Sequence, residues 1–266
     1  MDYGLANKVA LVSGSSQGIG SAVAAALAAE GCRVVVTARN VKQLAEAAEA
    51  IRQAGGTVHA VVGDATRGED IEQVVAETVS HFGSLHILVN NVGGVGSFAP
   101  FHELTDEDWH RVLELNVMSA VRFTRAALPH MRRQKWGRII NISSESGIQP
   151  DPEMAHYNAS KAALLVLAKS LSKAYAGDNI LVNSVSPAFI RTPLVMAMMQ
   201  EQARQKGIGV EEAIAGFLRE KRPHIELKRP GEEKEVAAVV TFLASEAASF
   251  VNGANYRVDG GSVASV

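Results

Sequence analysis

The stretch Val9-Ala10-Leu11-Val12-Ser13-Gly14-Ser15-Ser16-Gln17-Gly18-Ile19-Gly20 decides how the rest of the chain reads. Its first four residues are apolar without alternation, the pattern of a strand buried on both faces. The Ala-rich run Ser21–Glu30 that follows has helical composition and stops at Gly31. The glycines therefore fall in the turn between a first strand and a first helix. Gly14 permits a tight turn, Gly18 lets backbone approach a pyrophosphate, and Gly20 lets the helix pack closely on the sheet. The free N–H groups and positive dipole end of the new helix point at the same anion.

Working outward, strand and helix patterns alternate. Val34–Thr37, Val58–Val62, Ile87–Val89, Arg138–Ile142, Ile180–Val185 and Tyr256–Val258 read as six further strands. Between them Val41–Ala54, Gly68–Phe82, Glu107–Arg132, Tyr157–Tyr175 and Glu233–Ala244 read as helices, with Pro129 near the end of the third of these. Strands that are apolar throughout imply a parallel sheet covered by helices on both faces. Right-handed crossovers make that sheet doubly wound, with ligands at the carboxyl ends of its strands. No repeat, low-complexity tract or linker divides the chain, so residues 1–266 form a single α/β domain. The rhythm breaks at Phe189–Pro230, where Pro193, Gly207, Gly209 and Pro223 separate amphipathic pieces. That stretch reads as a flap inserted over the ligand site.

Composition narrows the function classes. With 26 Lys plus Arg against 28 Asp plus Glu in 266 residues, the formal net charge is -2. No basic excess exists to hold nucleic acid or an anionic membrane. Hydrophobic residues at 47% and charged residues at 20% describe an ordinary globular chain with a sizeable core. A lone cysteine, Cys32, forms neither an internal disulfide nor a thiolate metal site, which suits a reducing compartment. Met1–Lys8 carries no apolar stretch of signal-peptide length, and the run Ala162–Ala168 is far short of the ~20 residues of a spanning helix. A cytoplasmic location is the expectation. The eight histidines show no His-Glu-x2-His spacing, so no metal is expected.

The loop spacing is Gly-x3-Gly-x-Gly. It is followed in order by Asn90-Asn91 with Gly93, then Asn116, Ser144, Tyr157-x3-Lys161, Pro187 and Val258-Asp259-Gly260-Gly261. In this set the chain resembles the short-chain dehydrogenase/reductase family, over essentially its whole length. The resemblance implies a Rossmann-type, mostly parallel seven-stranded sheet. It places Gly14, Ser16, Gly18, Ile19 and Gly20 around a dinucleotide. Asp64 then caps the adenine amino group beside the backbone of Ala65, Asn91 lines the adenine ribose, and Ile190 with Thr192 contacts the nicotinamide amide. Two positions depart from the family. Val92 stands where alanine is usual, and Ala188 where glycine usually follows Pro187. Alanine resists positive φ, so a different turn is expected there.

NAD-dependent relatives carry an acidic residue at the end of the second strand, where this chain has Thr37-Ala38-Arg39-Asn40. No carboxylate repels a 2′-phosphate, and Arg39 offers it a fork of donors. NADP(H) is therefore expected over NAD(H).

Tyr157 and Lys161, four apart on one helix, share a face. A free phenol has a pKa of ~10, too high for proton exchange at neutral pH, and neighbouring cations are expected to lower it. Ser144, 13 residues before Tyr157 and just past an apolar strand, sits where a hydroxyl can donate to a substrate carbonyl. Its neighbour Ser143 competes for that role, and the family spacing favours Ser144. By resemblance, Asn116 bends its helix and serves a water path to Lys161. Together the four imply hydride transfer between NADP(H) and a ketone or secondary alcohol.

The closest class by resemblance is 3-oxoacyl thioester reduction, with hydroxysteroid, sugar-alcohol and xenobiotic ketone reduction as alternatives. A non-catalytic dinucleotide sensor is the reading from another class; an intact proton relay argues against it. His156, beside Tyr157, faces another side of the helix start, with substrate as one possible neighbour. Met196, Met198, Met199 and Phe217 read equally as an adaptable pocket or as packing under the flap. Arg122, Arg125, Arg132, Arg133, Lys135 and Arg138 form a basic cluster that complements a helix dipole or docks an acyl carrier protein. By resemblance the protein forms a homotetramer through Glu107–Arg132 and Tyr157–Tyr175.

Overall fold

The computed structural model describes residues 2–265. Seven strands, β1 (Val9–Ser13), β2 (Arg33–Ala38), β3 (Thr57–Val62), β4 (Ile87–Asn90), β5 (Gly137–Ile142), β6 (Ile180–Pro187) and β7 (Asn255–Val258), pair in the order β3-β2-β1-β4-β5-β6-β7. Every pair is parallel, β7 included, so the sheet is wholly rather than mostly parallel. The order reverses beside β1, and the crevice that opens there is where α/β sheets hold ligands.

Consecutive strand residues serve opposite faces, and both faces are dry. Ala10, Val12, Val34, Val36, Ile87 and Val89 pack with α1 (Gly18–Ala29), α2 (Val41–Gln53) and α9 (Glu233–Ala244). Leu11, Val35, Leu88, Ile139 and Val182 pack on the other side with α3 (Gly68–Phe82), α5 (Ser119–Gln134) and α6 (Ala155–Tyr175). This explains the non-alternating apolar runs: each residue has a hydrophobic layer to enter.

The helix expected over Glu107–Arg132 is real but not uniform. It begins as α4 (Asp106–Leu113), capped by Thr105 and Asp108 in a reciprocal pair. It then widens into a π-helical turn at Glu114–Met118 before continuing as α5 to Gln134. Pro129 lies inside α5 on its exposed side.

Between β6 and α9 lie α7 (Pro193–Lys206), capped by the Thr192 hydroxyl, and α8 (Val210–Lys221). They hold a small core of their own: Phe189, Met199, Ile214, Leu218 and Ile225, with Phe189 stacked on Phe217 at 4.8 Å. Met199 is buried there, Met196 packs against it and Met198 is exposed. No helix among the described residues is long and apolar enough to cross a membrane.

Candidate active site

A cleft of about 750 Å³ runs along the carboxyl ends of β1, β2, β4, β5 and β6. Of the residues expected in the catalytic set or around the dinucleotide, all but Asn116 line it: the glycine loop with Ser16 and Ile19, then Arg39, Asp64, Ala65 and Asn91, then Ser144, Tyr157 and Lys161, then Ile190 and Thr192.

The glycines are required for reasons the sequence gives only in outline. Gly14 and Gly18 have φ of +62° and +66°, a region that disfavours other residues. At Gly20 a Cβ would lie 2.4 Å from Asn91 Nδ2 and 2.5 Å from the Gly14 carbonyl oxygen. The close approach is thus to the loop's own backbone and to Asn91. That amide donates to the carbonyls of Ser13 and Gly14, each at 2.9 Å, so it shapes the loop as well as lining the cleft. Two serines that sequence reasoning passed over complete the brace. Ser15 Oγ donates to the Val12 carbonyl at 2.7 Å and accepts from Thr37 N at 2.9 Å. Ser13 Oγ accepts from Asn91 N at 3.0 Å and Val92 N at 3.2 Å. Serines interleaved with glycines in a turn were the available signal.

Val92 makes use of its extra bulk: its Cγ2 lies 3.0 Å from where a Gly14 Cβ would sit, which tightens the demand for glycine at 14. At Ala188 the chain turns without recourse to positive φ. Ala188 is not among the residues with positive φ, and its N–H donates to the Val258 carbonyl at 3.2 Å.

At the far end of the loop, Arg39 is 71% exposed and its Nη1 lies 3.7 Å from Asp64 Oδ2. Asp64 Oδ1 accepts from Thr66 N and Thr66 Oγ1 at 2.9 and 2.8 Å. Burial raises the affinity of this carboxyl for its proton, but the Thr66 bonds and the nearby Arg39 and Arg67 outweigh it, and the pKa falls below the ordinary value.

The end of the cleft that holds Ser144, Tyr157 and Lys161 is assembled from β5, the turn after it and α6. Ser143 and Ser144 follow β5 directly. Ser143 Oγ donates to the Lys161 carbonyl at 2.8 Å, which commits that hydroxyl to holding α6. Ser144 Oγ accepts from Ser146 N at 3.1 Å and keeps its proton free toward the phenol of Tyr157. Lys161 Nζ donates to the Ile142 carbonyl at 2.9 Å and lies 5.7 Å from the Tyr157 ring centre. Burial lowers the Lys161 pKa to about 8. The expected acidification of Tyr157 does not come from the protein alone. Burial pushes the phenol above its ordinary value and outweighs the Ser144 contact, because an anion in a dry cleft loses its hydration.

Asn116 stands behind the cleft, fully buried in the π-helical turn. Its Oδ1 accepts from Gly94 N at 2.8 Å, while Nδ2 donates to the Gly94 carbonyl at 3.0 Å and to Ser160 Oγ at 2.8 Å. It clamps the segment after β4 to α6, and Gly93 leaves room between it and Lys161: a Cβ there would lie 3.0 Å from Nζ. A wide turn is a means of aiming one side chain out of helical register.

Two further expectations change. His156 lies away from the cleft; it is fully buried with its ring 6.1 Å from Trp109 in an edge-on contact. The basic cluster is largely spent in ion pairs. Arg122 pairs with Glu114, Arg132 and Lys135 share Asp178, and Arg138 is buried beside Glu246 over the Trp136 ring at 4.2 Å. Because α5 runs back against the strands, its carboxyl end, with Arg132, Arg133 and Lys135, meets the start of β5 at the amino ends of the strands, opposite the cleft, while Arg122 donates to the Thr66 carbonyl near Asp64.

The residues present fit a nicotinamide dinucleotide. Backbone N–H groups open α1 at the glycine loop, side chains are excluded where a pyrophosphate would pass, and the cleft continues unbroken to Tyr157 and Lys161.

Comparison with known proteins agrees. The short chain dehydrogenase family model matches residues 8–203. An uncharacterized oxidoreductase of Bacillus subtilis, YvaG, is 38% identical, with 100% of each chain covered. D-beta-hydroxybutyrate dehydrogenase of Cupriavidus necator is 35% identical over 98% of this chain and 99% of its own. The structure of L-sorbose reductase from Gluconobacter frateurii complexed with NADPH and L-sorbose superposes with a TM-score of 0.94, at 37% identity and 100% coverage of both chains. The chain belongs to the short-chain dehydrogenase family and is an oxidoreductase that acts on CH–OH or C=O groups with a nicotinamide dinucleotide.

Proposed function

We propose that this chain reduces a small neutral ketone to a secondary alcohol with NADPH. The observation that carries this reading is the shared cleft: Arg39 at one end, Ser144, Tyr157 and Lys161 at the other, and the glycine loop between. Bound there, the reduced dinucleotide supplies a hydride. Ser144 donates to the carbonyl oxygen and fixes its orientation. Tyr157 gives that oxygen a proton, and its protonated state in the dry cleft suits an acid in the reducing direction. Lys161 grips the nicotinamide ribose and, through its charge, eases the loss of the phenolic proton. The stretch from Phe189 to Pro230, with its own small core, closes over the substrate.

The substrate end of the cleft is lined by Val95, Ala188, Leu194 and Val195. Arg222, a flap cation that acts on Tyr157, is already bonded to Asp151 and so is not free to receive a carboxylate substrate. A neutral hydroxylated ketone suits this end better than an acidic one, and L-sorbose reductase is similar over the whole chain. A 3-oxoacyl thioester is the second reading, favoured by the apolar lining. Arg132, Arg133, Lys135 and Arg138 lie at the opposite end of the strands, which weakens docking of an acyl carrier protein through them. Association as a homotetramer through α5 and α6 belongs to the same reading, supported by Val166 of α6, which is 67% exposed.

A panel of ketoses, diketones, acetoacetate and 3-oxoacyl thioesters, read by NADPH oxidation, tests the proposal. The Tyr157→Phe variant should lose ~10²–10⁴-fold in kcat, the usual worth of a general acid, and keep its affinity for NADPH. Undiminished turnover in that variant would refute the assignment of the acid.

A further inference from the structure

Next to Ser144, on the side away from the dinucleotide, sits a carboxyl that the reaction as described does not use. Glu145 opens a short 3-10 turn that also holds Ser144 in place, since the Gly147 N–H donates to the Ser144 carbonyl at 3.1 Å. Its side chain is 7% exposed, and Oε2 has no hydrogen-bond partner. A buried carboxylate oxygen without a donor is costly, so a charge partner is needed. That partner comes from the flap. Arg222, the residue that ends α8 and precedes Pro223, brings its Nε to 3.6 Å from Glu145 Oε1. Its Nη1 donates to Asp151 Oδ2 at 2.7 Å. The Asp151 carbonyl in turn accepts from Asn158 Nδ2 at 2.6 Å, and Asn158 follows Tyr157 on α6. One guanidinium thus joins the flap, the turn that carries Ser144 and the helix turn that carries Tyr157.

We propose that Arg222 and Glu145 are a positioning pair through which seating of the flap sets how readily Tyr157 exchanges its proton. This rests on the reading of Tyr157 as the acid. The groups facing Glu145 are Arg222 and His224 from the flap, and Asp259 and Ser262 from the segment after β7. Those facing Tyr157 are Ser144, Glu145, Arg222 and Lys161. Burial raises the Glu145 pKa, with Ser262 and Arg222 opposing it, yet a carboxyl still ionises well before a phenol. At the pH where Tyr157 titrates, Glu145 is therefore an anion that resists phenolate, and Arg222 is the cation that cancels it. With Arg222 seated the two nearly compensate. With the flap lifted, the carboxylate stands alone and the phenol holds its proton, so proton exchange is confined to the closed enzyme.

The test needs no substrate. Tyrosinate absorbance near 295 nm is titrated in the full-length protein saturated with NADP+, and the titration of Tyr157→Phe is subtracted to isolate the one phenol. Relative to wild type, Glu145→Gln should move the midpoint down and Arg222→Gln should move it up. Each shift should be about 0.5–1.5 pH units, the size expected of one nearby unit charge at an effective dielectric between that of a protein surface and water. The double variant should return close to wild type, and Arg222→Lys, which keeps the charge, should stay near it. Circular dichroism across the same range confirms that each protein is folded where it is read. Midpoints that coincide, or that move in the same direction for both single variants, overturn the pair as a tuning device and leave it a mere latch. If no step distinguishes wild type from Tyr157→Phe, the acid itself is misassigned, and the failure lies with the proposed function.

Discussion

Replacing Arg39 with alanine tests the group proposed to select NADPH over NADH. A charge-assisted bond from a guanidinium to a phosphate contributes ~1.5–3 kcal/mol. Arg39 does not wait unpaired: its Nη1 lies 3.7 Å from Asp64 and must leave it to reach a 2′-phosphate. At 71% exposure that pair is worth only about 0–1 kcal/mol, so most of the phosphate bond survives as net affinity. The balance, roughly 1–2.5 kcal/mol, corresponds to about a 5- to 70-fold weaker Kd for NADPH in Arg39→Ala. NADH, which has no 2′-phosphate, should bind the variant within about twofold of wild type. Both constants are read by quenching of intrinsic fluorescence or by calorimetry, at one fixed salt concentration because the contact is ionic. The reasoning fails if NADPH affinity is unchanged, or if NADPH and NADH weaken equally, since either result would make Arg39 a solvated bystander.

Three further outcomes follow from the geometry. Gly20→Ala places a methyl 2.5 Å from the Gly14 carbonyl oxygen and 2.4 Å from the Asn91 amide; a cost of ~2–4 kcal/mol should appear as a Tm lower by about 5–10 °C with weakened NADPH binding. A Tm within a degree or two of wild type would show that the loop opens freely. His86 Nδ1 accepts from Val9 N at 3.0 Å, and burial, with Lys8 and Arg33 nearby, lowers its pKa to about 4. The unfolded chain binds that proton first as pH falls, so stability is lost between about pH 6.5 and 4, and His86→Gln should flatten urea-derived stability across that window by ~2 kcal/mol. Lys161, lowered to about 8, gives the opposite end of the profile. Between that value and ~10.5 the unfolded chain holds more protons, so stability rises with pH, and the difference between wild type and Lys161→Met should change by about 3 kcal/mol across it.

The doubly wound sheet was legible because its cause is local. Non-alternating runs such as Val9–Val12 and Val34–Val36 announce burial on both faces, and the glycine turn after the first run announces where a ligand approaches. Ser144, Tyr157 and Lys161 were legible as residues with spacing and order, and β5 with α6 brings them to one end of the cleft. Other parts depend on groups distant in sequence. Only the resemblance gave Asn116 a role, a bend in its helix; that a π-helical turn aims it at Gly94 and Ser160 came from the fold. Six basic residues looked like one surface, but ion pairs with Glu114, Asp178 and Glu246 divide them, and burial removes Arg138. Periodicity carries no information about which carboxylate a cation will meet 40 or 100 residues away.

The acidity of Tyr157 shows the same division. Sequence alone supplied a phenol four residues from an ammonium, and with it the type of chemistry. Only the folded chain decides how dry the cleft is, that burial outweighs the neighbouring groups, and that a carboxyl and a guanidinium from separate segments face the same ring. Desolvation and Coulomb energy depend on distances through space, and those are set by packing rather than by order along the chain.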